Sequence, residues 1–129
     1  MLEKRLILYI EDDPPSILLV KKLLEFSGYR FINESSGLSG IRTAKEINPD
    51  LILLDIDLPD IDGYQVARRL KTAVETGGIP IVALTSSAMK GDREKALSAG
   101  CDGYIRKPID VSRFTGLIKV YLGDGEQQV

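Results

Sequence analysis

The sequence predicts an α/β sandwich built on a parallel sheet, and three observations carry that reading. Short, continuously apolar runs alternate with segments of helical period. The stronger runs are followed by turn residues, and their lack of polar alternation implies burial on both faces. The chain has 129 residues, enough for one core and too few for two.

Taken in order, the runs span residues 6–10, a weaker stretch around 29–32, then 51–54, 79–84 and 104–105. Between them lie amphipathic helices. After the first run, Asp13 before Pro14 and Pro15 marks a helix start, and Gly28 marks its stop. Ser36 opens the next, with Leu38, Ile41, Ala44 and Ile47 at helical spacing, and Asn48-Pro49 closes it. Val66, Leu70 and Val74 predict a third apolar face, and Gly100 ends a fourth segment. Val111, Phe114, Ile118 and Tyr121 predict the last. The order is five βα units. Residues 1–122 form the expected domain, and 123–129 read as a flexible tail or linker stub.

Composition excludes several classes of function. A net charge of −2 and a pI near 5.2 leave no basic excess for direct nucleic-acid binding. No apolar run reaches the ~18 residues of a membrane span, and the first residues lack the apolar region of a signal peptide. One cysteine, Cys101, permits no internal disulfide, fits a reducing cytoplasm and reads as a small buried residue. The absence of histidine removes imidazole acid–base chemistry, histidine metal sites and any phosphohistidine on this chain.

In open parallel sheets, ligands bind beyond the carboxyl ends of the strands. There the chain places Glu11-Asp12-Asp13 after the first run and Asp55-Ile56-Asp57 after the third. Thr85-Ser86-Ser87 follows the fourth and Arg106-Lys107-Pro108 the fifth. Singly, each has a structural explanation: Asp13 as a helix cap, Glu11 and Asp12 at a helix's positive end, Lys107 as a solvated turn. Jointly, four strand ends converge carboxylates, a hydroxyl and a lysine on one edge. Two carboxylates about 4 Å apart repel by roughly 4 kcal/mol at an effective dielectric of 20. Either a proton or a divalent ion must relieve this. With oxygen the only donor type, Mg²⁺ is the natural occupant. Asp55 would be the nucleophile forming an acyl phosphate, with Lys107 and Thr85 contacting phosphate oxygens.

These pieces resemble the receiver domains of two-component response regulators over about residues 4–122. The resemblance rests on Glu11-Asp12, on the Leu-Leu-Asp-x-x-Leu-Pro-x-x-Asp-Gly run of residues 53–63, on residues 83–86 and on residues 103–108. It implies a flavodoxin-like sheet of order 2-1-3-4-5. It also implies that Asp55 is the phosphoacceptor, Asp12 a direct Mg²⁺ ligand, and Glu11 a metal-site acid acting through water. The main-chain carbonyl of Asp57 would be a further ligand, Thr85 the switch hydroxyl, Tyr104 the switch aromatic and Lys107 the phosphate-contacting lysine. The donor would be the phosphohistidine of a sensor histidine kinase or a histidine phosphotransfer protein, and the output a downstream protein target. The chain would then be a phosphoacceptor with slow self-dephosphorylation rather than an enzyme. Residues 88–95 and 100–102 are similar to receivers of hybrid kinases and stand-alone regulators.

Two positions depart from the common pattern of that family. Glu11 stands where an aspartate is frequent, and Asp57 where many members carry an amide or apolar group. Asp55 and Asp57 together also match the nucleophile loop of haloacid-dehalogenase-like phosphatases, with Asp57 as general acid/base. That alternative leaves Glu11-Asp12 unexplained and lacks room for a cap module.

Overall fold

A computed structural model describes residues 4–86 and 91–123. Ten elements alternate: β1 (Leu6–Ile10), α1 (Pro14–Phe26), β2 (Arg30–Glu34), α2 (Gly37–Ile47), β3 (Leu51–Asp55), α3 (Gly63–Thr72), β4 (Ile81–Thr85), α4 (Asp92–Ser98), β5 (Gly103–Arg106) and α5 (Val111–Leu122). The strands form one parallel sheet of order β2-β1-β3-β4-β5. The expected α/β sandwich and its strand order are both present.

Continuous apolarity has the predicted cause. Every residue of β1, β3 and β4 is buried, because helices cover both faces. On one face Ile7, Leu53 and Leu84 pack with Val20 and Leu24 of α1 and Phe114 and Ile118 of α5. On the other, Leu8, Leu54 and Ala83 meet Ile41 of α2, Leu70 of α3 and Ala96 of α4. Cys101 belongs to this second cluster, and burial pushes its thiol up to about 11. It stays protonated and inert at neutral pH, as a small buried residue should.

The caps fall where the sequence places them. Asp13 accepts the Ser16 N–H at 3.1 Å and Ser36 accepts the Ser39 N–H at 3.1 Å. Asn48 closes α2 in the left-handed region at φ 52°, a conformation asparagine tolerates better than most residues.

Four expectations shift, the simplest being that Val111 at the start of α5 is 51% exposed and off its apolar face. The fourth strand begins at Ile81 rather than 79, because Ile79 closes a turn by donating its N–H to Thr76 O at 3.0 Å. Helix α3 stops at Thr72, so Val74 does not join its apolar face and is 98% exposed. The turn beyond it is stitched by the Thr76 hydroxyl on Leu70 O at 2.6 Å. Helix α2 is rotated so that Leu38 is half exposed. Its contact face instead uses Gly37 and Gly40, and a Cβ on Gly40 would lie 2.5 Å from Ile10 Cδ1. Backbone-close packing therefore replaces the leucine contact that period alone suggests. Ser87, residues 88–90 and the tail from 124 lie outside the described residues.

Candidate functional site

Period-two alternation assembles the site. Tyr9 of β1 pairs with Leu53 of β3, and Leu84 of β4 with Ile105 of β5, all on the α1/α5 face. Asp55, opposite Leu84, continues that face. Two residues beyond Tyr9 and Ile105, Glu11 and Lys107 extend it past the carboxyl edge of the sheet. The distances agree: Lys107 Nζ lies 2.6 Å from Glu11 Oε1 and 3.3 Å from Asp55 Oδ1. Oxygens of Glu11, Asp12 and Asp55 all lie within 4.8 Å of one another. Glu11 and Asp55 are buried, at 1% and 3% exposure, while Asp12 faces solvent. The cluster is thus closed from beneath and open above.

Burial raises the Asp55 carboxyl to about 6, and repulsion from Glu11 adds to that. Lys107 and the Asp57 backbone N–H oppose the rise without cancelling it. For Lys107 burial works against the charge, but the hydrogen bond to Glu11 and attraction from Asp55 outweigh it, leaving its affinity for the proton raised. The lysine therefore stays cationic, and the three carboxylates exceed what it can neutralise. An all-oxygen donor set with excess negative charge suits a hard divalent cation. Asp55 would take a cation only without its proton, so cation binding would release one when the pH is below the Asp55 value. Affinity is expected to fall by about tenfold per pH unit below about pH 6 and to level off above it. Magnesium titrations at about pH 5 and about pH 7 check this; equal affinities would contradict it.

The other predicted residues occupy neighbouring positions. Thr85 ends β4, is buried, and lies on the opposite sheet face, the one shared with Ala83. Its carbonyl accepts the Lys107 N–H at 2.8 Å, which seats the β5 end beside it. Tyr104 pairs with Ala83, one residue pair short of Thr85 on the same face, and is half-buried against the α2–α4 cluster. Asp57 is exposed in the loop after β3, and Ser86 Oγ makes a long 3.5 Å contact with its Oδ2. Gly63, opening α3, has its Cα against the Ile56 backbone, where a Cβ would come within 2.5 Å of Ile56 Cα. The approach keeps the loop that carries Asp57 tight against the end of β3.

Three residues that shape the site were not singled out in the sequence. The Tyr9 hydroxyl donates to Glu11 Oε1 at 2.9 Å. Asn33 of β2 donates to the carbonyls of Tyr9 at 2.9 Å and Glu11 at 3.1 Å. Asp60 accepts the N–H groups of Gly37 and Leu38 at 2.8 and 3.0 Å, tying the β3–α3 loop to the start of α2. Tyr9 was legible in one respect: it stands two residues before Glu11 on a strand, hence on the same face. Asn33 and Asp60 gave no comparable signal.

Fold and strand-end cluster together define a receiver, and the response regulator receiver domain model matches residues 7–119. The chain belongs to that family, and its place is in two-component phosphorelay signalling. It is 46% identical over 118 residues to the polar-differentiation response regulator DivK of Brucella ovis, covering 92% of this chain and 96% of that one. The receiver domain of a sensor histidine kinase from Pseudomonas aeruginosa superposes with TM-score 0.86 at 32% identity, over 94% of this chain and 99% of that chain. That structure has a magnesium ion coordinated in its active site cleft. A CheY-like receiver from Methanospirillum hungatei gives TM-score 0.87 at 27% identity, covering 95% and 96%. Nothing in these likenesses supports the dehalogenase-like phosphatase. No helix among the described residues is long and apolar enough to cross a membrane.

Proposed function

We propose that Asp55 accepts a phosphoryl group in a Mg²⁺-dependent reaction and that the resulting acyl phosphate switches a protein-binding face. The observation that carries this reading is the meeting of Glu11, Asp12 and Asp55 oxygens within 4.8 Å, with Lys107 Nζ 3.3 Å from Asp55. Asp12 and Asp55 would hold the cation directly, Glu11 through water, and the Asp57 main-chain carbonyl would complete the protein's set. When bound, the cation supplies charge neutralisation and an electrophilic contact for a phosphate oxygen.

The remaining work falls to the chain's own groups. An Asp55 carboxylate oxygen attacks phosphorus as the P–N bond to the donor's imidazole breaks, leaving the electron pair on the donor nitrogen. The donor is the phosphohistidine of a sensor histidine kinase or histidine phosphotransfer protein, as expected for a chain that has no histidine. Lys107 exchanges its contact with Asp55 for one with a phosphoryl oxygen. Thr85 donates its hydroxyl to another. Tyr104, one pair away on the same face, follows Thr85, and the surface around α4, β5 and α5 changes for a downstream protein. About two added negative charges are enough to drive such a local rearrangement. The receiver is taken as residues 1–122, with a tail from 123, acting in the cytoplasm.

Incubation with acetyl phosphate and Mg²⁺ tests the reading. A single phosphoryl adduct that needs Mg²⁺ supports it, whereas steady turnover of phosphate esters without an adduct supports a phosphatase. Asp57 bears on how long the adduct lasts. Its exposed carboxylate lies in the loop just past Asp55, where it can repel the phosphoryl group or orient the hydrolytic water. Asp57→Asn is expected to change the dephosphorylation rate by several-fold, measured by decay of the adduct; equal rates would remove Asp57 from the account.

A further inference from the structure

We propose that Tyr9 is a positioning residue for Glu11: its buried hydroxyl holds the glutamate carboxylate in the one orientation that faces the cation cluster. The inference rests on the reading that Glu11, Asp12 and Asp55 take up Mg²⁺. Tyr9 has no exposed surface, and a buried phenol needs a partner for its proton. A strand carbonyl would serve a purely structural tyrosine. Here the partner is Glu11 Oε1, at 2.9 Å, the same oxygen that Lys107 Nζ approaches to 2.6 Å.

The rest of Glu11 is held as firmly. Its second carboxylate oxygen accepts the Asp13 N–H at 3.1 Å. Its own N–H donates to Glu34 O at 2.9 Å, and its carbonyl accepts from Asn33 Nδ2 at 3.1 Å. Backbone and side chain are therefore oriented before a cation arrives, in a geometry where the Glu11, Asp12 and Asp55 oxygens already converge. A glutamate reaches one bond further than an aspartate and has one more rotatable bond to fix. The Tyr9 bond removes that freedom from below, on the side away from solvent. A phenol keeps its proton at neutral pH, so the Tyr9 hydroxyl acts as the donor in this bond. Losing a group outside the ligand shell that orients a metal site typically weakens metal affinity by about 10- to 100-fold, and the lower end applies to Tyr9 because Glu11 acts through water.

The test is calorimetric titration of MgCl₂ into the metal-free chain. Tyr9→Phe keeps the ring that meets Phe31 edge-on at 6.4 Å and removes only the hydroxyl. The expected result is Mg²⁺ affinity about tenfold weaker than in the wild type. In a Glu11→Gln background the same change should have little further effect, because the hydroxyl acts through that carboxylate. Ile118→Val, a core change on α5, controls for general destabilisation and should leave the affinity unmoved. Wild-type binding with unchanged affinity in Tyr9→Phe would overturn this proposal and leave the metal reading standing. So would an equal loss in both backgrounds. No Mg²⁺ binding by the wild type would overturn both. Should Tyr9→Phe fail to fold, the wild type still decides. Its Tyr9 ring resonances, followed by NMR, should shift on adding MgCl₂, and an unshifted signal would overturn the proposal.

Discussion

Replacing Asp55 by asparagine is expected to make the metal-free protein more stable while abolishing its capacity to take up a phosphoryl group. The carboxyl is pushed up to about 6 by burial first and by Glu11 second. A carboxyl whose proton affinity is raised by folding favours the fold while protonated. That contribution is fully present below the unfolded value near 4 and is lost as the pH rises through about 6. At neutral pH the native state therefore carries a buried charge that Lys107 only partly compensates. Asparagine keeps the shape and removes the charge, for an expected gain of about 1–3 kcal/mol in denaturant unfolding. Lys107 keeps Glu11 as its partner at 2.6 Å, so the substitution does not strand the lysine. Such a gain at the cost of function is the usual trade at a site built from mutually repelling groups. A lower unfolding midpoint for Asp55→Asn at neutral pH would contradict this electrostatic description of the site.

The opposite change is expected to do the opposite. Lys107→Ala removes the cation from a pair of carboxylates that are almost wholly buried. Breaking one partner of a buried ion pair typically costs about 3–5 kcal/mol. Here about 3 kcal/mol is expected at neutral pH, since Asp55 can limit the loss by retaining its proton. The deficit should narrow as the pH falls toward about 4, where Asp55 is protonated in both proteins. Urea unfolding at the two pH values checks the sign. An equal deficit at both would mean that the pair with Asp55 contributes nothing to it. The same variant should form its adduct slowly, because a phosphoryl oxygen would lose its contact with Nζ.

The chemistry of the site was legible because it sits at breaks in pattern. In a fully buried parallel sheet, a carboxylate right after an apolar run has to lie at the strand's carboxyl end. Glu11, Asp12, Asp55, Thr85 and Lys107 could all be placed on one edge by that rule alone. Tyr9 was hidden for the complementary reason. Inside an apolar run its ring reads as core, which it is, and only the neighbouring strands show that its hydroxyl meets Glu11. Leu38 and Val74 were misread because period describes one helix in isolation. The packing of α2 is decided by how closely Gly40 lets Ile10 approach, and the end of α3 by the Thr76 turn. The α3 end turns on a side-chain bond spanning only six residues, whereas the Gly40 contact is a long-range effect that no local pattern encodes. Asp60 belongs to the same class, since its partners on α2 lie 22 and 23 residues away.

Phosphorylation of Asp55 is the step on which every other proposed role of this edge depends. Peptide-resolved mass analysis after incubation with acetyl phosphate and Mg²⁺ tests it most directly. One phosphoryl group is expected, carried by the peptide containing Asp55, lost on chelating Mg²⁺ before the incubation and absent in Asp55→Asn. A phosphoryl group of undiminished amount in Asp55→Asn, or one mapped to another peptide, would contradict it.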